Sequence, residues 1–330
     1  MLTWLGWKFT ACSRRIFMKE KIGVIDLGTN TFHLLIAEIN DGAVTVLYRE
    51  RQAVKLGMGG INRGVILDEA IERAIQCLLQ FKEKLDREHV KRVKALGTSA
   101  LRSAGNGQHV IELIKSKTGI EVERISGDQE AEYIYYGIRS AVALGTTNSL
   151  IVDIGGGSVE FIIANHTKIH WKASLDIGAQ RMLERFHRHD PMLASELEDL
   201  TRHYHQALAP IAAALAEFHA DALIGSSGTF DTLSEIYCMN NHLHYLSGQP
   251  ETPLTIEGFR SIHAELILKN RADRLKIPGM IEMRVDMIVV ASCLIKYLVD
   301  HFEFRTVRVS SYSLKEGVLA RLANSTNSIS

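Results

Sequence analysis

Two short runs gather the residue types needed to hold a phosphate-rich anion: Asp26-Leu27-Gly28-Thr29-Asn30 and Asp153-Ile154-Gly155-Gly156-Gly157-Ser158. Glycine lets a backbone approach an anion closely, and successive N–H groups in such a turn form a concave anion-binding nest. The hydroxyls of Thr31 and Ser158 add donors. Asp26 and Asp153, each ending an apolar run, can orient a hydrated Mg²⁺, which takes one or two carboxylates and fills its shell with water and phosphate oxygens. A third run, Gly225-Ser226-Ser227-Gly228-Thr229, follows an apolar stretch and opens a helical pattern, the geometry that presents N–H groups to phosphate. A single Asp-x-Gly turn is most often only a turn. Two in matching surroundings are a stronger signal.

The elements around these turns repeat. Lys21–Leu27, Phe32–Ile39 and Val44–Lys55 read as strands, the last two joined by Asp41-Gly42. Ile66–Glu88 carries Ile71, Ile75, Leu78, Leu79 and Leu85 at helical spacing. A strand at Arg92–Leu96 leads to Gly97-Thr98-Ser99 and a helix. A strand at Glu121–Ile125 then meets Ser126-Gly127-Asp128 and a helix to about Leu144. The pattern then restarts: Val24–Gly28 aligns with Ile151–Gly155, Ile36-Ala37 with Ile163-Ala164, and His33 with Glu160. Farther on, Ala95–Ser99 aligns with Leu223–Ser227 in the same register to within one residue. This predicts a duplication, one β-hairpin plus one βα unit per half. The second half adds expected helices at Ser195–Phe218, Ile256–Lys269 and Met280–Phe302, a strand at Thr306–Ser310 and a last helix from Leu314.

With 330 residues the chain suits two domains. The expected boundary lies near Ser126, giving domains at 18–126 and 127–330, with the final helix (about 314–324) packing back on the first. Residues 1–17 differ from the rest and are expected to be a disordered tail or a misassigned start, the chain beginning naturally at Met18. The 38 basic and 38 acidic residues cancel, so no global field draws the protein to nucleic acid or an anionic membrane. Cys12, Cys77, Cys238 and Cys293 form no CxxC pair, which fits a reducing, cytoplasmic setting and no structural zinc. The loosely spaced histidines between His187 and His244 are assigned no metal.

Several motifs in order carry a resemblance. Asp26–Asn30, Gly97–Arg102 (GTSALR), Ser126–Ala131 (SGDQEA), Asp153–Glu160 (DIGGGSVE), Gly225–Thr229 (GSSGT) and Leu314–Leu319 (LKEGVL) are similar to those of the exopolyphosphatase and guanosine pentaphosphate phosphatase family. The similarity spans about residues 20–320. It implies an α/β fold of two duplicated actin-like (ribonuclease H-like) domains, mixed sheets flanked by helices, with a cleft between them. It also implies a phosphoanhydride hydrolase using Mg²⁺ or Mn²⁺. Glu130 matches the family's catalytic base, Arg102 its phosphate-gripping arginine, and Asp153 and Glu160 its metal-associated acids, with Asp26 beside them. Gly28, Thr29, Asn30, Gly155, Gly156, Gly157, Ser158, Gly228 and Thr229 would hold phosphate. Gln129 departs from the family, which has an acid there.

The substrate expected is inorganic polyphosphate, cut at its terminal phosphate, with guanosine pentaphosphate as the alternative. Longer members add a C-terminal hydrolase-like module that this chain ends without, which tips the choice toward polyphosphate. A nucleotide-binding kinase or an actin-like switch is the distant alternative. Arg181, Arg185 and Arg188 could extend a basic track for a longer anion. No nucleic-acid or membrane partner is expected, and a homodimer is compatible with the reading.

Overall fold

A computed structural model describes residues 20–327 apart from 41, 246 and 247. The tail at 1–17 and the residue Asp41 of the expected turn lie outside the described residues. The first sheet comprises β1 (Glu20–Leu27), β2 (Thr31–Asn40), β3 (Ala43–Ala53), β4 (Arg92–Gly97) and β5 (Val122–Arg124), in the order β3-β2-β1-β4-β5. Helices α1 (Asp68–Arg87), α2 (Ser99–Ser103) and α3 (Gly107–Thr118) accompany it, and α4 (Gly127–Ala141) follows. The second half begins with β6 (Ser149–Ile154), β7 (Val159–Ala164) and β8 (Ile169–Leu175). Then come α5 (Ala179–Phe186), α6 (Ala194–Ala207), α7 (Ala209–Phe218), β9 (Ala222–Ser226), α8 (Ser227–Asn240) and β10 (Glu251–Thr252). The chain closes with α9 (Ile256–Leu268), α10 (Arg271–Arg274), α11 (Ile288–His301), β11 (Thr306–Ser310) and α12 (Leu314–Asn327).

Read from the far edge, the second sheet runs β8-β7-β6-β9-β11, with β10 added outside. Each sheet therefore has two antiparallel pairs followed by two parallel ones. Even an irregularity is duplicated: the β2–β3 register shifts between Ile36 and Ala37, the β7–β8 register between Ile163 and Ala164. Two mixed sheets of one topology, flanked by helices, form the duplicated actin-like fold.

Strand alternation decides where the acids point. On β1, Ile25 and Leu27 join a core under α1 and α3, while Ile22 and Val24 join a second core that also holds Ile151, Ile162 and Ile224 of the other sheet. Asp26 continues the Ile22–Val24 row, and Asp153 the Ile151 row. Both carboxylates are thus carried on the faces that the two sheets turn toward each other. Residues of α4 and α12 fill that shared core, including Ala131, Ile134, Ile138, Val318 and Leu319. Their crossing is backbone-close. A Cβ on Gly137 would strike the Ser313 carbonyl, and one on Gly317 the Tyr133 carbonyl.

Three elements differ from the expected ones. The helix read across Ser195–Phe218 is two, broken at Leu208, where Pro210 sits in the first turn of α7. The helix expected from Met280 starts only at Ile288, the preceding residues forming turns. Strand β8, the third of the second sheet, was hidden by its half-buried run Ile169–Leu175, which gives no apolar alternation.

Candidate active site

The two glycine turns touch. A Cβ on Gly156 would lie 3.1 Å from the Thr29 side chain, and one on Gly157 would lie 2.5 Å from Ser99 Oγ and 2.6 Å from Thr29 Oγ1. Glycine is required because the two halves meet backbone to side chain at this point. The carbonyls of Gly155 and Gly156 are taken by the N–H groups of Ala179 and Gln180 at the start of α5, at 2.9 and 2.8 Å. The N–H of Gly155 is spent on Ser158 O at 3.0 Å. Among the described residues none offers an acceptor to the N–H of Gly156, Gly157 or Ser158, as an anion nest requires.

Beside these turns lies a cleft of about 120 Å³. Of the expected site residues, Asp26, Gly28, Thr29, Asn30, Glu130, Asp153, Gly155, Gly156, Gly157, Ser158 and Gly228 line it. Thr29 Oγ1, Asn30 Oδ1 and Ser99 Oγ are buried there without partners, so the wall carries polar atoms that a ligand would satisfy. Arg102, Glu160 and Thr229 are not in the wall. Thr229 is buried in α8. Arg102 stands behind Glu130, its Nη1 donating to Glu130 Oε2 at 2.7 Å, its Nη2 3.4 Å from Ser158 Oγ and 3.9 Å from Glu160 Oε1. Glu160 Oε1 accepts from Ser158 Oγ at 2.6 Å and Ser174 Oγ at 2.7 Å.

Glu130 is placed by the start of α4. Ser126 caps this helix: its Oγ accepts from the N–H of Gln129 at 3.1 Å, and Gln129 Oε1 accepts from the Ser126 N–H at 2.9 Å. The departure at Gln129 therefore serves a reciprocal cap. One turn in, Glu130 is 8% exposed. Burial pushes its carboxyl up to about 7, with Arg102 pulling it down and Asp26 and Asp153 adding to the rise. Glu160 is pushed well above the usual carboxylate range by burial and then by Glu130.

The Asp pair sits as the duplication demands. Asp26 pairs with His33 across β1–β2, and Asp153 with Glu160 across β6–β7. Asp153 Oδ2 accepts from Ser226 Oγ at 2.6 Å and from Ser313 Oγ. Burial pushes Asp26 up to about 7; Lys315 opposes the rise, and Asp153, Glu316 and Glu160 add to it. His33 is held well below its ordinary value, by burial and by Lys315, Arg284 and Arg51. Among the described residues no group of three or more His, Cys, Asp or Glu is set to enclose a metal ion. An oxygen-only pair of carboxylates nevertheless fits a hard cation that brings its own water and phosphate ligands.

The cleft's cations were not found from sequence. Arg51, Arg284 and Lys315 line it, as does the acid Asp231. Lys315 lay inside the LKEGVL run, and Arg51 could have been inferred as the β3 partner of His33. Asp231 lies two residues beyond Gly225–Thr229. Arg284, whose guanidinium lies against Gly228, gave no local signal. The basic track is corrected. Arg181 is buried and holds Gly157 O at 2.8 Å, Ile61 O at 2.8 Å and Ser103 Oγ at 2.9 Å. Arg185 and Arg188 border a separate surface groove with Glu196 and Asp199.

Duplicated sheets meeting at an anion nest, with buried carboxylates in the same cleft, define an enzyme of phosphate chemistry. The chain belongs to the Ppx/GppA phosphatase family, whose model matches residues 35–326. It is similar to an exopolyphosphatase of known crystal structure from Cytophaga hutchinsonii, 44% identical over 93% of this chain and 98% of that one, with a TM-score of 0.90. A solved Ppx/GppA family member from Aquifex aeolicus is 25% identical over 94% of this chain and 99% of that one, TM-score 0.78. A guanosine-5'-triphosphate,3'-diphosphate pyrophosphatase from Vibrio atlanticus is 27% identical over 89% of this chain, which spans 57% of that protein's length. Among the described residues no helix is long and apolar enough to cross a membrane.

Proposed function

We propose that the chain is an exopolyphosphatase, releasing the terminal phosphate of inorganic polyphosphate by attack of water. The observation that carries this is the seat of Glu130: a carboxyl in the cleft wall, held at 2.7 Å by Arg102 and pushed up to about 7. Such a group is partly ionised near neutral pH and can accept a proton from water. The water oxygen forms a bond to the terminal phosphorus as the bridging P–O bond breaks. Its proton goes to Glu130, and the shortened chain leaves with the bridging oxygen. Thr29, Asn30 and the N–H groups of Gly156, Gly157 and Ser158 hold the transferred group. Gly28 and Gly155 allow the turns to close on the Thr31 and Ser158 carbonyls, Gly228 leaves room for the Arg284 guanidinium, Thr229 supports the α8 turn, and Arg102 neutralises charge beside the base.

Asp26 and Asp153, with Glu160 behind them, would hold Mg²⁺ or Mn²⁺, which when bound supplies positive charge to the phosphate oxygens. The two sheets, β1–β5 and β6–β11, support a division into domains at 18–126 and 127–330. Cys77, Cys238 and Cys293 are free and buried, which suits a reducing cytoplasm.

Guanosine pentaphosphate hydrolysis is the second reading. It is favoured by the similarity to the Vibrio protein. Phosphate release should be compared on both substrates, with and without chelator. Cleavage of guanosine pentaphosphate with none of polyphosphate would reverse the order of the two.

A further inference from the structure

A second cavity, of about 460 Å³, lies between the two halves and shares only Asn30 with the phosphate cleft. The first half supplies Ala53, Lys55 and Met58, at and just beyond the end of β3. The second half supplies Leu183 of α5 and, from the turns before α11, Met283 and Met287.

Its chemistry differs from that of the cleft. Three thioethers and two aliphatic side chains make the wall apolar, and methionine sulfur is polarisable, adapts its shape and favours contact with aromatic rings. The charges at its edge cancel: Lys55 and Arg271 stand with Glu282 and Asp286. Arg271 is already engaged, 2.9 Å from Asp286 and 3.3 Å from Glu282. The Asn30 and Gln180 amides bond each other at 3.0 Å. A polyanion gains little there. An uncharged aromatic molecule buries its faces against sulfur and asks for few hydrogen bonds, and the volume falls in the range of small-molecule sites, about 300–1,000 Å³.

The wall of this cavity is also joined to the phosphate turn. The Lys55 N–H donates to Asn30 O at 2.8 Å, and the Gly57 N–H to Thr29 O at 2.9 Å. Met287 Sδ accepts from the Asn30 side chain, and Met283 Sδ lies 3.6 Å from Thr31 Oγ1. A molecule seated among these sulfurs would therefore touch both halves and the two methionines that meet Asn30 and Thr31.

We infer that this cavity is a regulatory site for an uncharged aromatic small molecule, which ties the two halves together and slows turnover without competing for the phosphate cleft. The effect on rate rests on the proposed hydrolysis of polyphosphate; the binding does not.

The test uses the full-length protein and N-phenyl-1-naphthylamine, an uncharged dye that brightens in apolar surroundings. The dye should give a saturable one-to-one rise in fluorescence. It should lower kcat on tripolyphosphate about threefold or more, with KM within about twofold. Met58→Trp fills the cavity from an exposed position and should weaken dye binding about tenfold, with the dye-free kcat within about twofold of wild type. Met58→Asp, which sets a charge in the apolar wall, carries the same test if the Trp form does not fold. A signal that does not saturate, binding untouched by both variants, a kcat unmoved by bound dye, or a raised KM at constant kcat would overturn the inference. If the wild-type protein hydrolyses no polyphosphate, the proposed function fails while the dye titration still decides the site.

Discussion

Arg102 and Glu130 meet at 2.7 Å at the cleft wall, joining helix α2 to the start of α4. The guanidinium is 3.9 Å from Glu160 as well, so one cation serves two buried acids. Neither acid is solvated well enough to ionise easily, and Arg102 keeps Glu130 within reach of neutral pH.

Replacing Glu130 by Gln keeps shape and removes the base. The expected result is a loss of about 10²–10⁴ in kcat with KM changed far less, measured by phosphate release. A variant turning over at near wild-type rate would remove Glu130 from the mechanism.

The rate should also report the carboxyl's ionisation. As the base must be deprotonated, kcat rises with pH through about 7. Arg102 lowers the Glu130 pKa, so Arg102→Gln should displace the acid limb to higher pH. A limb that stays in place, or moves down, contradicts the pairing.

Chelation should abolish phosphate release, and added Mg²⁺ or Mn²⁺ should restore it. Asp153→Asn should raise the metal concentration needed by about 10-fold or more, since Ser226 and Ser313 would then orient an amide with weaker oxygen basicity. Full activity in excess chelator argues against a metal held by Asp26 and Asp153.

The α4–α12 crossing is expected to be intolerant. Gly137→Ala forces a methyl onto the Ser313 carbonyl just before α12, and Gly317→Ala onto the Tyr133 carbonyl of α4, each at a cost of about 1–3 kcal/mol or more. Since α12 also carries Lys315 into the cleft, activity should fall along with the unfolding temperature. Wild-type melting of either variant would mean that the helices do not pack this closely.

His263 gives a pH effect remote from the cleft. Its Nδ1 is 2.9 Å from Ser292 Oγ, and burial pulls its pKa down to about 4. The unfolded chain binds a proton there near 6.5, the native protein only near 4, so stability is lost as pH falls through that window. Denaturation at pH 7.5 and 5 should show His263→Gln losing less on acidification than wild type.

Sequence by itself determined the duplicated turns, the strands on either side of them and the acids they carry. Gly28, Gly155, Asp26 and Asp153 are set by local chain geometry, and strand alternation turns each Asp to the side opposite its own outer core. Helix α1 was equally legible, because its buried residues recur every three or four positions. Only the tertiary structure decided which distant side chains share the cleft. Arg51, Asp231, Arg284 and Lys315 come from four elements, and Arg181, which the sequence offered as a cleft cation, is drawn inward to hold three groups of the protein itself. The pattern along a chain records which face of an element avoids water. It carries no record of which element will cover that face, and the position of a long charged side chain is settled only by that covering partner.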